Sequence, residues 1–229
     1  MRPILPLVAK PIEPFRLTPD LVLQACGLGY FPMSEDRHAT EIFWVRPDMR
    51  GVLPIRGLKV STSLARTVRR DLFEVRTDTA FRAVIEGCAA TRTGREQTWI
   101  NSEILDAYVG LHEAGHAHSV EAWRGEELVG GLYGVARGAA FFGESMFSFV
   151  SDASKVCLVH LTARLMAGGF VLHDTQFTTP HLKQFGARDV RAGDYARMLD
   201  AALKLPGDFF ALDDQASGSF IVQSITQTS

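Results

Sequence analysis

The sequence predicts an α+β fold, in which a mixed sheet with flanking helices follows a small N-terminal α+β domain. Residues 119–123 alternate polar and apolar side chains, a turn follows at 124–127, and residues 128–135 form a second, glycine-containing strand; this order is typical of an antiparallel hairpin. Residues 151–165 carry apolar side chains at helical spacing and stop at a glycine pair, 168–169. A short apolar strand, 170–173, then leads into Asp174. A further strand that begins at Ala139 precedes the helix. This order of hairpin, strand, helix and strand indicates an α+β core.

We place the domain boundary near residue 58, giving an N-terminal domain of residues 1–58 and a larger domain of residues 59–229. The first part holds most of the prolines and little regular periodicity. It contains a helix from the cap Thr18 to Gly27, a strand at 41–45, and a stretch at 46–51 that we interpret as a turn. Its aromatic side chains either bind a ligand or seal the interface with the larger domain.

Composition excludes several classes of protein. The formal net charge is −2, so any contact with nucleic acid has to come from a local basic patch. The three cysteines are far apart and lie in apolar surroundings, which is typical of buried thiols in a reducing cytosol. Prolines and Lys10 interrupt the apolar N-terminal run, and no stretch is long enough to span a bilayer. We therefore expect a soluble cytoplasmic protein.

The densest basic cluster lies on a predicted amphipathic helix at 61–70. Ser61 is its cap, and the outer face carries Arg66, Arg69 and Arg70. Such a cluster can bind phosphates through charge-assisted hydrogen bonds. A solvated helix face is the alternative.

A literal zinc-protease pattern occurs at 112–116, where His112, Glu113 and His116 match HExxH. The motif needs both histidines on one helical face, yet Gly115 interrupts it and a strand begins at Ser119. A zinc hydrolase using His112 and His116 is therefore a minor alternative, and we expect no metal. The alternative interpretation is that a histidine of this segment caps the C-terminus of the helix.

Other catalytic patterns are missing. The chain has no Walker A loop, dinucleotide fingerprint or Gly-x-Ser-x-Gly elbow. The core order is similar to that of a GNAT-like acyltransferase, which would need a glycine-rich pyrophosphate loop before its central helix. Residues 149–155 hold an aspartate there and no glycine. We therefore expect a GNAT-like acyltransferase core that uses no cofactor.

Several motifs, in order, give the chain its resemblance to the bacterial leucyl/phenylalanyl-tRNA–protein transferase family. They extend from about residue 17 to about residue 200 and are the segments 30–32, 61–70, 98–101, 116–123, 128–135, 142–148, 153–155, 174–177 and 180–182. The resemblance implies an enzyme that moves Leu, Phe or Met from aminoacyl-tRNA to the N-terminal Arg or Lys of a protein and thereby marks that protein for degradation through the N-end rule. It also implies a GNAT-like catalytic domain without coenzyme A. The donor is an activated ester, so positioning supplies most of the catalysis.

The resemblance also assigns roles to residues. It makes Asp174 and Gln176 the catalytic pair, which we expect to project together into the cleft because residues two apart on a strand share a face. Gln176 would form hydrogen bonds with the attacking amine and with the region of the reacting carbonyl, while Asp174 orients Gln176 and favours proton loss. An aspartate satisfied only by nearby backbone amides is the alternative for Asp174.

The remaining site residues are assigned by substrate group. We expect the pocket for the donor side chain to be lined by Leu132, Phe141, Met146 and Phe147. Each of these residues could instead belong to the core. Glu144 is a candidate for binding the donor or the acceptor terminus. The terminal adenosine needs an aromatic surface, for which Tyr30, Phe43 and Trp44 are candidates because Met33 stands where the family often has Trp. Arg66, Arg69 and Arg70 would contact tRNA phosphates. We expect a monomer; a GNAT-like tRNA-binding module without catalysis is the second alternative.

Overall fold

A seven-stranded mixed sheet organises residues 16–91 and 97–226, the part of the chain that the computed structural model describes. A separate two-stranded antiparallel sheet is formed by residues 31–33 and 43–45, near the N-terminal end of the described chain. The strands are β1 (Phe31–Met33), β2 (Phe43–Val45), β3 (Met49–Leu53), β4 (Glu74–Thr77), β5 (Ala117–Arg124), β6 (Glu127–Arg137), β7 (Ala140–Ser148), β8 (Leu172–Gln176) and β9 (Arg188–Arg191). The helices are α1 (Pro19–Gly27), α2 (Thr62–Arg69), α3 (Phe81–Ala89), α4 (Ser102–Glu113), α5 (Ala153–Ala167), α6 (Pro180–Lys183), α7 (Ala192–Leu203) and α8 (Gly218–Thr226). The predicted α+β class is confirmed.

The order of strands in the large sheet is β4-β5-β6-β7-β8-β3-β9. Every neighbouring pair is antiparallel except β7 and β8, which are parallel. These two strands pair only between Ala140–Phe142 and Leu172–Asp174. Beyond those residues the two strands no longer pair, and the sheet is open between them.

Helices cover both faces of the sheet and bury two apolar clusters. One cluster joins α2, α5 and α8 to the sheet, and the other joins α1, α3, α4 and α7 to its opposite face. Helix α5 contacts β5, β6 and β7, the strands before the opening. Since burial of apolar surface is the main favourable contribution to folding, these clusters fix the sheet on which the site is built.

Local sequence signals place several helices correctly. The Oγ1 of Thr18 accepts a hydrogen bond from the backbone N–H of Leu21 at 3.2 Å, and Ser61 caps α2 in the same way. The three cysteines are buried free thiols, as predicted. The glycines of β6 also mark a bulge and a close approach, since a Cβ on Gly130 would lie 2.5 Å from the Cβ of Ala153 in α5.

One local assignment from sequence is wrong. Residues 46–51 were expected to form a turn in the N-terminal domain, but Met49–Leu53 is strand β3, between β8 and β9 of the large sheet. Long-range pairing therefore overrides the turn chemistry of residues 46–48. The chain before residue 58 thus contributes a strand to the large sheet, while the division into domains at that residue stays a prediction.

No helix in the described ranges combines the length and the apolar character that crossing a membrane requires.

Candidate active site

A cavity of about 290 Å³ lies where β7 and β8 stop pairing. One part of its wall is apolar and is formed by Leu132, Met146, Leu158, Leu161 and Leu182. The other part is polar and is formed by Tyr133, Glu144, Ser145, His173, Thr175, Gln176, Thr179 and His181. A pocket with an apolar part and a few convergent polar groups is the usual form of a small-ligand site.

Asp174 lies at the centre of a buried ion-pair network. Its Oδ1 accepts from Arg50 Nε at 2.8 Å, and its Oδ2 accepts from Arg50 Nη2 at 2.7 Å. The hydroxyl of Tyr195 donates to Oδ2 at 2.5 Å. Arg50 also donates from Nη1 to the Gly29 carbonyl at 3.0 Å, and Arg50 and Asp174 are both almost fully buried. Burial and the Asp174 carboxylate raise the pKa of Tyr195 well above its usual range, so its hydroxyl remains a donor.

Gln176 has an unusual backbone conformation at the end of β8. Its φ is +55°, and the N–H of Phe177 donates to the carbonyl of Thr175 at 2.5 Å, which closes a γ-turn around it. The carboxylate of Asp174 holds this turn, because its Oδ1 accepts the backbone N–H of Gln176 at 2.8 Å. Positive φ is costly for a residue with a Cβ and is concentrated at functional sites, where the surrounding structure imposes it.

The two residues of the predicted catalytic pair therefore face different surroundings. Gln176 lines the cavity, and its Nε2 is buried with no hydrogen-bond partner among the described residues. Asp174 is fully buried and does not line the cavity. The expectation that both side chains project into the cleft is wrong, because the γ-turn at Gln176 breaks the alternation of the strand.

Gly51 allows this turn to form next to β3. A Cβ at this position would lie 2.6 Å from the carbonyl carbon of Phe177 and 2.8 Å from the backbone nitrogen of Thr178. Both atoms are backbone, so a side chain here would displace the segment that follows Gln176. The register of β3 against β8 also shifts between Gly51 and Val52.

We expect Gly51→Ala to lower the free energy of unfolding by about 1–3 kcal/mol, the usual cost of overpacking. It should also reduce activity by displacing Gln176. Urea unfolding measures the first effect. Gly193→Ala is the matched control, because a Cβ there meets nothing within 4 Å, and its stability should be unchanged or slightly raised. Equal stability of Gly51→Ala and the wild type would contradict the prediction.

Glu144 reaches the cavity through a bulge in β7. Tyr133 pairs with Ser145 and Gly134 pairs with Gly143, which leaves Glu144 as the extra residue. Its Oε1 is buried and has no hydrogen-bond partner among the described residues. Burial raises the pKa of Glu144 to about 8; the Asp174 carboxylate adds to this rise, while Tyr108 and Arg50 oppose it. At neutral pH the side chain is therefore mostly a neutral acid.

This pKa predicts a pH-dependent contribution to stability. The folded carboxyl titrates near 8 and the unfolded one near 4.5, so the folded state binds more protons in between. The contribution is fully present below 4.5 and is lost as the pH rises through 8. We expect the melting temperature of Glu144→Gln, relative to the wild type, to increase over this window. A difference in melting temperature that does not depend on pH would contradict the prediction. Burial lowers the pKa of His173 to about 4, which has the opposite effect on stability, but this effect is the same in both proteins and cancels in the difference.

Buried polar atoms without partners are concentrated around this cavity. Within the described ranges they include Glu144 Oε1, His173 Nδ1, Thr175 Oγ1, Gln176 Nε2 and His181 Nε2, all on residues that line it. An unpaired buried polar atom costs about 1–3 kcal/mol, so a cluster of them indicates a site that a ligand satisfies.

The predicted walls of the donor pocket divide into two groups. Leu132 and Met146 line the cavity. Phe141 and Phe147 do not; both are fully buried in the apolar clusters, and Phe147 lies against Gly87 of α3. The apolar wall also includes Leu158 and Leu161 of α5, whose helical spacing on the sequence did not distinguish them from the core.

The other predicted contacts lie outside the cavity. Tyr30 is half-buried, with the guanidinium of Arg46 5.4 Å from its ring centre, and the partly buried Trp44 packs against an apolar cluster. Phe43 is exposed. Three arginines, Arg66, Arg69 and Arg70, are exposed on α2 and at its end. Their roles in binding adenosine or phosphate stay predictions.

Sequence reasoning missed Arg50 and Tyr195, and it included His181 in the motif 180–182 without assigning it a role. Arg50 was assigned to a turn, and the only available signal was a charged residue directly before the apolar run 52–53. Tyr195 lies in α7, far along the chain from Asp174, and no local pattern connects them.

A larger cavity, of about 670 Å³, lies beside the edge strand β4 and is lined by Asp71, Glu74, His160 and Asp214, among others. None of the residues predicted for the site lines it. Its acids already have partners, since Asp71 accepts the Gly218 N–H and Asp214 pairs with Arg164. We therefore assign the site to the smaller cavity.

The zinc-protease pattern does not form a ligand pair. Helix α4 ends at Glu113, so His116 lies outside the helix that carries His112. The Nδ1 of His112 is 2.9 Å from the carbonyl oxygen of Ala117, and its ring stacks on Phe81. In the described part of the chain no three His, Cys, Asp or Glu side chains form a group that could hold a metal ion.

A mixed sheet that opens between two parallel strands, with a ligand-sized cavity in the opening, defines the chain as an α+β protein with a small-ligand site in its sheet. Residues 52–200 match the family model for leucyl/phenylalanyl-tRNA protein transferase. The chain belongs to this family.

Curated relatives agree with the family model. The chain is 55% identical over 215 residues to the leucyl/phenylalanyl-tRNA–protein transferase of Nitrobacter winogradskyi, covering 93% of this chain and 96% of the relative. It is 53% identical over 214 residues to the transferase of the same name from Rhodopseudomonas palustris, covering 93% and 95%. The corresponding protein of Afipia carboxidovorans is 52% identical over 214 residues, covering 93% and 94%.

Proposed function

We propose that this enzyme transfers Leu, Phe or Met from aminoacyl-tRNA to the N-terminal Arg or Lys of an acceptor protein. The observation that carries the proposal is the cavity between β7 and β8, where an apolar wall meets a cluster of unpaired polar atoms. An aminoacyl ester has the same division, with an apolar side chain next to a polar reacting group. The charged tRNA donor places the reaction in the cytoplasm.

The reaction is the aminolysis of an ester. The acceptor nitrogen forms a bond to the carbonyl carbon, and the bond from that carbon to the 3′ oxygen of the tRNA breaks. The amine loses a proton and the leaving oxygen gains one. Because the ester is already activated, neither ATP nor a metal ion is required, and alignment of the reactants supplies most of the rate.

In this proposal Gln176 is the catalytic residue and Asp174 is a positioning residue. The Nε2 of Gln176 is an unpaired donor beside the reacting carbonyl, and its side-chain oxygen can accept from the amine. Asp174 cannot take the amine proton directly, because its oxygens already accept from Arg50, Tyr195 and the Gln176 backbone. Its contribution is to hold the turn that aims Gln176.

The apolar wall accounts for the class of donor. Leu132, Met146 and Leu158 can enclose an unbranched or γ-branched side chain, and the flexible thioether adapts to different shapes. The order of preference among Leu, Phe and Met, like the monomeric state, stays a prediction.

The deciding assay mixes tRNA charged with labelled leucine with peptides that begin with Arg, Lys, Asp or Glu. We expect label on the Arg and Lys peptides, also after dialysis against a chelator. Binding of tRNA without transfer to any peptide would instead support the non-catalytic module. Loss of activity in chelator, together with loss in His112→Ala, would support a metal enzyme.

A further inference from the structure

His181 offers the cavity a polar atom that the mechanism above does not use. It lies in α6, directly after β8, and lines the same cavity as Gln176. Its Nε2 is buried without a hydrogen-bond partner among the described residues. Leaving such an atom unpaired costs about 1–3 kcal/mol, so the bound substrate is its natural partner.

A neighbouring glutamine fixes which ring nitrogen carries the proton. The amide nitrogen of Gln184 is 2.8 Å from the carbonyl oxygen of His181 and 3.1 Å from its Nδ1. The atom that bonds to the carbonyl oxygen must be the nitrogen, because the amide oxygen cannot donate. Nδ1 is therefore an acceptor, and in the neutral ring Nε2 carries the proton and is a donor.

The surroundings favour the neutral ring. Burial lowers the pKa of His181, and the nearby ammonium of Lys155 lowers it further. A neutral ring with its proton on Nε2 cannot accept from an ammonium group. The partner that suits it is an oxygen.

The position of His181 indicates which oxygen this is. The next residue, Leu182, belongs to the apolar wall with Leu158 and Leu161, whereas Gln176 belongs to the polar part. His181 is therefore adjacent in sequence to a residue of the apolar wall and lines the same cavity as Gln176. In an aminoacyl ester the carbonyl group is bonded to the carbon that carries the side chain, so it lies beside the apolar wall when the side chain fills the apolar part.

We infer that His181 donates its Nε2–H to the carbonyl oxygen of the aminoacyl ester and stabilises the negative charge that develops there during attack. The inference rests on the proposed function. His181 keeps its proton throughout, since it donates a hydrogen bond; the proton released by the amine passes to the 3′ oxygen of the tRNA. With Gln176 Nε2, this gives the carbonyl oxygen two N–H donors.

The first test is single-turnover transfer of labelled leucine to an Arg peptide. Loss of one such donor typically costs about 100- to 1000-fold in rate, so we expect that loss in His181→Leu. The donor concentration for half-saturation should change little, because the charge develops only in the transition state. His181→Gln, which retains an N–H at a similar reach, should recover most of the rate. His160→Gln, in the cavity beside β4, is the control and should match the wild type.

The second test measures the tautomer directly, by ¹⁵N NMR of histidine-labelled protein with His181→Gln used for assignment. We expect the proton on Nε2. A proton on Nδ1, or a His181→Leu variant as fast as the wild type, would overturn the inference. If His181→Leu does not fold, the tautomer and the rate of His181→Gln decide. Failure of the proposed function itself would give a different result from failure of this inference, because the wild type would then label no peptide.

Discussion

Asp174→Asn is expected to lower the free energy of unfolding by about 3–5 kcal/mol, because it leaves the buried Arg50 guanidinium without a counter-charge. Arg50 and Asp174 are 2% and 0% exposed, so water cannot replace the lost partner. Transfer activity should also fall sharply, since the network that holds the γ-turn at Gln176 is disrupted. Urea unfolding and the peptide-labelling assay measure the two effects.

A double variant separates stability from function. Replacing both charges, as in Arg50→Met with Asp174→Leu, removes the unpaired charge and should recover much of the lost stability. It should not recover transfer, because no carboxylate remains to hold Gln176. The matched control is Glu74→Gln, which breaks the exposed Glu74–Arg76 pair and should leave the stability nearly unchanged. Full transfer activity in the double variant would show that Asp174 acts only on stability.

Gln176→Ala is expected to reduce the single-turnover rate of transfer by about 100-fold or more, since it removes the side-chain N–H donor that we propose for the reacting carbonyl. The fold should remain, because the side chain lines the cavity and its Nε2 has no partner among the described residues. Gln223→Ala changes an exposed glutamine on α8 and is the control, with an unchanged rate expected.

Gln176→Gly tests the backbone of the same residue. Glycine adopts positive φ without a steric penalty, so this variant should be more stable than Gln176→Ala by about 1 kcal/mol. Its transfer rate should be as low as that of the alanine variant, because both lack the amide. A Gly variant that is fast would show that the turn, and not the amide, matters for catalysis.

Local signals in the sequence account for much of the fold. The caps Thr18 and Ser61, the glycine pair at 168–169 and the alternation in 119–123 act over a few residues, so they can be interpreted without knowing the partner elements. The family resemblance was equally accessible, since it depends on motifs in order along the chain. Assignment of 46–51 to a turn failed because β3 exists only through pairing with β8 and β9.

The arrangement of the site depended on contacts between distant parts of the chain. Arg50 is 124 residues from Asp174 in sequence, and their pairing follows from the position of β3 beside β8. The same holds for the four predicted wall residues, Leu132, Phe141, Met146 and Phe147. All four are apolar strand residues, so the sequence does not separate those that line the cavity from those in the core. The opening in the sheet makes that distinction.

The sequence by itself determined the α+β class, the main helices, the family and the segment 174–176 at the end of a strand. Only the tertiary structure decided that Gln176 faces the cavity while Asp174 is held behind it by Arg50 and Tyr195. The physical reason is that a γ-turn with positive φ forms only where other strands and a buried ion pair impose it, and neither condition is encoded within the segment itself.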